Sequence, residues 1–448
     1  MEFVRFFTKK SFKNFTPYKS ASLPPVSEIF YKKNFTSQKI CRIIWSMEGI
    51  NSIRDIAVEG KRVFVRVDFN VPLDQNGHVA DNTRIVAALP TIRYLLEHGA
   101  KVVLASHLGR PKGQRNPKYS LRPVAEALAT LLNQPVLFLE DCIGSDVEDS
   151  VSEMAENSVV LLENLRFHAE EEANDENFAK SLARLADVYV NDAFGTAHRA
   201  HASTAGMVPF VAEKAVGFLI EKELEFLEGK VNHPERPFCV VLGGAKVSDK
   251  IGVIESVLDK ADRVLIGGAM AYTFALAQGR SVGNSRVEPD YVELAKSLIE
   301  KAKAKNVDLQ LPIDTVVTNK VDFDNRALGE LKVAEGVIED GWEGVDIGPK
   351  TAEKYADFIR NSKTVLWNGP VGIFEIEASA QGSYKIAHAM AACEGTTIVG
   401  GGDCVKAIHQ SGCADEITFL STGGGASLQL LEGKPLPGLE ALKTRTSL

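Results

Sequence analysis

The chain has no apolar run that approaches the eighteen or so residues a membrane-crossing helix requires, so a helical span does not organise its 448 residues. Its six cysteines, Cys41, Cys142, Cys239, Cys393, Cys404 and Cys413, lie far apart with no Cys-x-x-Cys pair. That spacing argues against a zinc site and against a disulfide framework, and it fits a reducing compartment. No G-x-x-x-x-G-K-[ST] run is present, because Lys246 follows Gly244 by two places without the earlier spaced glycine. A Walker A loop is therefore absent. The chain also lacks an H-R-D catalytic loop, which excludes a protein kinase, and a G-x-G-x-x-G dinucleotide fingerprint. No Ser-His-Asp or Cys-His arrangement offers a persuasive nucleophile, so covalent catalysis is not expected.

What is present is ordinary for a globular protein of two or three domains: 45% hydrophobic residues, 25% charged, and a net charge of -8. No nucleic-acid or membrane partner is expected. The first 46 residues differ from the rest, with nine Lys or Arg against Glu2 and Glu28 and no sustained period. Removing that +7 from -8 leaves -15 for the remainder. The stretch reads as an organellar transit segment, as a disordered tail, or as upstream sequence ahead of a functional start at Met47. The corresponding locations are an organelle for the first and the cytoplasm otherwise. Mass measurement of the native N-terminus separates these readings.

From about residue 50, short apolar runs alternate with stretches long enough for helices. The runs are Val63–Val67, Lys101–Ala105, Val159–Leu162, Asp187–Val190, Phe238–Leu242, Arg263–Ile266, Thr364–Trp367, Thr396–Val399 and Ile417–Leu420. Near-continuous Val, Ile and Leu predict parallel strands covered on both faces. The expected fold is α/β: two doubly wound, Rossmann-like parallel-sheet domains joined by a helix, with a central hinge. That helix is expected over Gly217–Lys230, with Phe218, Leu219, Leu224 and Leu227 on one face and Glu221, Lys222, Glu223 and Glu228 toward solvent. Pro234 ends it. The resulting segments are 1–46, 47–216, 217–231, 232–427 and 428–448.

Ligands of such sheets bind at the carboxyl ends of strands. In the first half those ends present Asp68-Phe69-Asn70, Ser106-His107-Leu108-Gly109-Arg110, Arg166, and then His198, Arg199 and His201. Arginine forks suit a small, dense anion. In the second half they present glycine turns, Gly243-Gly244, Gly267-Gly268, Gly400 to Gly402 and Gly423 to Gly425, with Lys246 and Lys250 beside the first. Backbone N–H groups freed by glycine can close around nucleotide phosphates, and Asp403 beside such a turn suits Mg²⁺. Two phosphorylated ligands on two halves are the consequence.

These residues resemble the phosphoglycerate kinase family. The motifs are VDFNVP at Val67 to Pro72, NTRI at Asn82 to Ile85, SHLGRP at Ser106 to Pro111, ENLRF at Glu163 to Phe167 and NDAFGTAHRAHAS at Asn191 to Ser203. They continue with GGAKVSDKI at Gly243 to Ile251, IGGAMA at Ile266 to Ala271, WNGPVGIFE at Trp367 to Glu375, GGGD at Gly400 to Asp403 and STGGGAS at Ser421 to Ser427. The resemblance spans about residues 48 to 443 and does not include the extension before Met47.

The resemblance implies reversible phosphoryl transfer between 1,3-bisphosphoglycerate and ADP, in a monomer whose two domains close about a hinge. It implies 3-phosphoglycerate binding by Asp68, Phe69, Asn70, Arg84, His107, Leu108, Gly109, Arg110, Arg166, His198, Arg199 and His201. Nucleotide binding falls to Lys246, Lys250, Gly268, Gly348, Asn368, Glu375, Gly401, Gly402, Asp403 and Cys404. Asp403 is the implied Mg²⁺ ligand, and Arg84, Lys246, Gly402 and Gly425 are the implied catalytic positions. The family usually carries Thr or Ser after GGGD, where this chain has Cys404, a weak donor. The tail after Pro435-Leu436-Pro437-Gly438 is expected, from the resemblance, to return to the first domain. Two other readings remain at this stage, a nicotinamide-dependent oxidoreductase of the same fold and a catalytically silent nucleotide-binding protein.

Overall fold

The computed structural model describes residues 49–443, and the expectations for residues 1–46 lie outside them. The first sheet comprises β1 (Arg62–Val67), β2 (Lys101–Ala105), β3 (Val136–Phe138), β4 (Val159–Leu161), β5 (Val188–Asp192) and β6 (Glu213–Val216). Its order is β3-β4-β2-β1-β5-β6, and every pairing is parallel. The second sheet draws on β7 (Phe238–Leu242), β8 (Arg263–Ile266) and β9 (Asp308–Gln310), then on strands that follow an insertion. The insertion holds β10 (Asp314–Thr318), β11 (Val321–Asp322), β12 (Ala327–Leu328), β13 (Leu331–Glu335) and β14 (Glu343–Ile347). After it come β15 (Thr364–Asn368), β16 (Thr396–Gly400) and β17 (Phe419–Leu420), giving the order β17-β16-β15-β7-β8-β9, again all parallel.

The central strands are apolar on both faces because both faces are covered. On β1, Val63, Val65 and Val67 join a cluster with Ile92, Leu95 and Leu104, while Phe64 points to the opposite side with Val103, Val160 and Tyr189. That second cluster continues through Leu224 and Leu227 to Val240, Leu242, Ile254 and Ile266 of the second sheet. Alternation along each strand thus decides which of two cores a residue fills. The far face of the second sheet packs Val241, Leu265, Val365 and the wholly buried Trp367 against Tyr355 and Ile408.

Three edge strands escaped the apolar-run reading, because β3, β6 and β9 are short and partly exposed. The expected Ile417–Leu420 run shortens to β17, since Ala414–Glu416 forms a 3-10 turn. The three-stranded antiparallel sheet β13-β10-β14 was also missed. β13 reads Leu-Lys-Val-Ala-Glu with alternating exposure, the pattern of a sheet with one open face, and not of a buried parallel strand.

The segment joining the two sheets is helical over Phe218–Leu224 and passes into a π-helical turn over Glu225–Lys230. Its first N–H groups are met by one side chain from the Thr83–Glu97 helix and one from β5: Phe218 N–H donates to Thr91 Oγ1 at 2.9 Å, and Leu219 N–H to Asp192 Oδ1 at 2.9 Å. A Cβ at Gly217 would collide with the Asp192 carboxylate, so glycine is required there. The outward placement expected for Glu223 is wrong. Glu223 is 1% exposed, and its carboxylate accepts from Ser421 Oγ at 2.7 Å and from Thr422 N–H at 2.9 Å. Hydrogen bonds from the loop compensate its burial, which periodicity alone could not reveal. The end of the described chain lies against the first sheet, where Gly438 N–H donates to Ala197 O at 2.9 Å.

Burial pushes the carboxyls of Asp192 and Glu223 each up to about 7. The folded protein therefore holds more protons than the unfolded chain between about pH 4 and 7, and stability falls as pH rises through that window. Glu223→Gln should remove its part of this fall, on the order of 3 kcal/mol. Urea unfolding at a series of pH values checks it, and an unchanged pH slope would contradict the assignment.

Candidate functional site

The carboxyl ends of β1, β2 and β5, with the turn after β4, gather the first group of side chains. Arg84 opens the Thr83–Glu97 helix and pairs with Asp68 at 2.7 Å, just past β1. Asn70 Oδ1 accepts from Gly109 N–H at 2.9 Å, and Arg166 Nη1 donates to Gly109 O at 3.0 Å. Gly109 sits at φ 64° with the Tyr119 ring where a side chain would go, so the turn that projects Arg110 depends on glycine. Arg110 itself is exposed and Arg166 is buried, with Nε 3.2 Å from Glu172 without hydrogen-bond geometry. The side chains of Phe69 and Leu108 are buried in the apolar cluster under β1, so the part they turn to the strand ends is backbone.

The histidines add hydrogen-bonding capacity rather than charge. Burial and the guanidinium of Arg66 hold His107 well below the usual imidazole range, and burial with Arg166 lowers His201 to about 4. His198 is lowered by burial and by Arg199, whose Nε donates to its Nε2 at 3.2 Å. At neutral pH the positive charge of this face comes from arginine alone. Arg66, Glu171 and Ser203 stand directly behind it and were not anticipated. The signal was Arg66 inside the otherwise apolar run Val63–Val67, where it is 1% exposed.

The second group surrounds the ends of β7, β8, β15 and β16. Many of its glycines serve one another: a Cβ on Gly268 would lie 2.6 Å from Gly244 N, and one on Gly369 would collide with the Gly243 carbonyl. Close strand-end packing, not phosphate, demands those residues. Gly401 at φ 94° and Gly402 differ, since Gly402 is exposed and a Cβ there would meet nothing within 4 Å. They open the ten-residue Gly402–Ser411 helix, whose free N–H groups and dipole favour an anion. Lys246 is exposed nearby in sequence to buried Lys250, which bonds the Asn368 side-chain oxygen. Asn368 Nδ2 is buried and has no hydrogen-bond partner among the described residues. Asp403 is exposed and pairs with Lys406 at 3.2 Å, while Glu375 is exposed. Gly348 is buried at the cap of the Pro349–Arg360 helix, beside the Asp314 carboxylate, so its local role is capping.

Cys404 does not turn its side chain to the open face. Its thiol is wholly buried, accepts from Gly369 N–H at 2.8 Å, and is pushed up to about 12 by burial. The loop Ser421–Ser427, grouped by sequence with the second half, reaches the first: Gly423 packs on the Phe194 ring, and a Cβ on Gly425 would lie 3.3 Å from His198 Nε2.

A profile described as phosphoglycerate kinase matches residues 53–434. The chain is 53% identical over 400 residues to phosphoglycerate kinase of Synechococcus elongatus, covering 89% of this chain and 99% of that one. It is 53% identical over 398 residues to the cytosolic phosphoglycerate kinase of Nicotiana tabacum, covering 88% and 98%. The solved phosphoglycerate kinase of Coxiella burnetii superposes with a TM-score of 0.81 at 38% identity, over 89% of this chain and all of that one. That of Pyrococcus horikoshii gives 0.72 at 35%, over 88% and 98%.

The buried thiol yields a test. Cys404 should resist alkylation in the native protein and react on unfolding, as peptide mass mapping after brief iodoacetamide treatment will report; native labelling at Cys404 would contradict its placement.

Proposed function

The chain belongs to the phosphoglycerate kinase family, and from that premise we propose how its own residues divide the reaction. It is a phosphotransferase with a carboxyl acceptor, passing phosphoryl between 1,3-bisphosphoglycerate and ADP to give 3-phosphoglycerate and ATP, in either direction. The observation that carries the assignment is two unlike anion-binding edges on two parallel sheets joined through one helix. We assign residues 47–216 to the phospho-acid and 232–427 to the nucleotide, with 217–231 between them and, of the tail from 428 on, the described residues to 443 returning to the first part.

Arg84, Arg110, Arg166 and Arg199 supply charge to 3-phosphoglycerate, and the neutral rings of His107, His198 and His201 supply directed hydrogen bonds. Asp68 and Asn70 hold Arg84 and Gly109 in place. Gly401 and Gly402 receive nucleotide phosphate on backbone N–H groups, with Lys246, Lys250 and Asn368 as side-chain donors and Glu375 as an exposed acceptor. The orphaned Asn368 Nδ2 supports that reading, because a buried donor without a partner is suited to a ligand acceptor. Cys404 contributes through its backbone. Asp403 fits Mg²⁺ as an exposed carboxylate at the phosphate-facing helix end; the cation supplies neutralisation of nucleotide phosphate charge when bound.

Phosphoryl transfer passes through a loose transition state, so positioning and charge stabilisation carry catalysis. Arg84 and Lys246 flank the migrating group from opposite sheets, and Gly402 and Gly425 bring backbone N–H groups to it. The two ligands react only when the edges approach, which we assign to hinge closure about the Phe218 helix and the Ser421–Ser427 loop. The Glu223 bonds to Ser421 and Thr422 tie those two elements together and support their moving as one. We further propose that the protein acts as a monomer, and the cytosolic Nicotiana tabacum relative supports action in the cytoplasm.

Arg84→Ala should lower turnover by about two to three orders of magnitude while ADP affinity by calorimetry stays nearly unchanged. Retained turnover would refute its role. Small-angle scattering with both ligands bound should show a smaller radius of gyration than either binary complex, and equal radii would sink the closure.

A further inference from the structure

Behind the anion-facing side chains lies a buried polar chain that none of the roles above uses. Glu171, wholly buried, accepts from the Ser203 backbone N–H at 2.9 Å and from the Ser203 hydroxyl at 2.6 Å. The hydroxyl has then spent its one proton, and its oxygen accepts from Arg66 Nε at 2.8 Å. Arg66 donates onward to the Val67 carbonyl and, from Nη2, meets His107 Nδ1 at 3.2 Å. A guanidinium only donates, so Nδ1 of His107 must accept and the ring proton must sit on Nε2. The carboxylate fixes the direction of the Ser203 hydroxyl, and the guanidinium, a donor only, fixes that of the bond to His107.

We propose that Glu171 and Ser203 are positioning residues which, through Arg66, hold His107 as the neutral Nε2–H tautomer, leaving that N–H as the donor for the phospho-acid. The substrate half of this statement rests on the assignment of His107 above; the tautomer does not. Burial and the facing guanidinium groups of Arg66, Arg166, Arg199 and Arg84 all oppose a charged ring at this position. Glu171 is the countercharge within this layer, with His201 Nδ1 4.0 Å from its Oε1. Without it, Ser203 is free to reorient, Arg66 loses its anchor, and the His107 ring can take either tautomer.

The test uses ¹⁵N-histidine-labelled, ligand-free protein, with His107 assigned by comparison with His107→Asn. Long-range ¹H–¹⁵N spectra between about pH 6 and 8 should show His107 neutral and protonated at Nε2 throughout. In Ser203→Ala and Glu171→Gln the two tautomers should mix, and KM for 3-phosphoglycerate should rise about tenfold with KM for ATP unchanged. An Nδ1–H tautomer in the wild type, or the wild-type tautomer retained in the variants, would overturn the relay whatever happens to KM. Mixed tautomers with an unchanged KM would uphold the relay and overturn the substrate role of His107. Ser203→Ala removes only a hydroxyl and keeps the test open if the Glu171 variant does not fold, which denaturant midpoints will report.

Discussion

The rest of the structure depends on how one helix is held. The segment beginning at Phe218 donates its first N–H groups to Thr91 of the Thr83–Glu97 helix and Asp192 of β5, and its buried Glu223 accepts from Ser421 and Thr422 after the last strand of the second sheet. Both carboxyls are buried, and burying such a group is tolerated only where hydrogen bonds meet it. These bonds place the end of β5, the connecting helix and the Ser421–Ser427 loop in one polar framework. Gly217, Gly423 and Gly425 are the backbone side of that framework, since each lies where a side chain would press on Asp192, Phe194 or His198.

Electrostatics follow from that packing. The arginine-rich face is concentrated at the ends of buried strands, where a charged imidazole would be desolvated and repelled at once, so the histidines stay neutral. A buried glutamate behind the face partly offsets the arginines without facing a ligand. On the other sheet the backbone does the corresponding work. There the glycines divide into those that let strand ends touch and those, Gly401 and Gly402, that leave N–H groups open at a helix start. Only the second kind suits a phosphate.

Much of this was legible in the chain. The long apolar runs became the central strands because a strand covered on both faces has no polar position to lose, and the polar groups after each run fell at the carboxyl edge by topology. The short edges β3, β6 and β9 were not legible, because a strand paired on one side carries a weaker apolar signature. Glu223 was misread because helical periodicity assigns a face but cannot know that a distant hydroxyl will meet a carboxylate there. Phe69 and Leu108 sit inside recognisable motifs, yet their side chains belong to the core, so motif membership does not say which way a side chain turns. Cys404 shows the same: its place after Asp403 drew attention to phosphate, and the helix turned its thiol toward Gly369.

By itself the sequence determined the family, the two parallel sheets and the division of arginine from glycine, since strand hydrophobicity and residue chemistry are local properties that order along the chain preserves. Tertiary structure alone decided which residues share a layer. It set Glu171, Ser203, Arg66 and His107, far apart in sequence, into one directed chain of hydrogen bonds, and it carried the last glycine turn across to the histidine side. Those outcomes depend on distances between separate segments, and no local pattern encodes them.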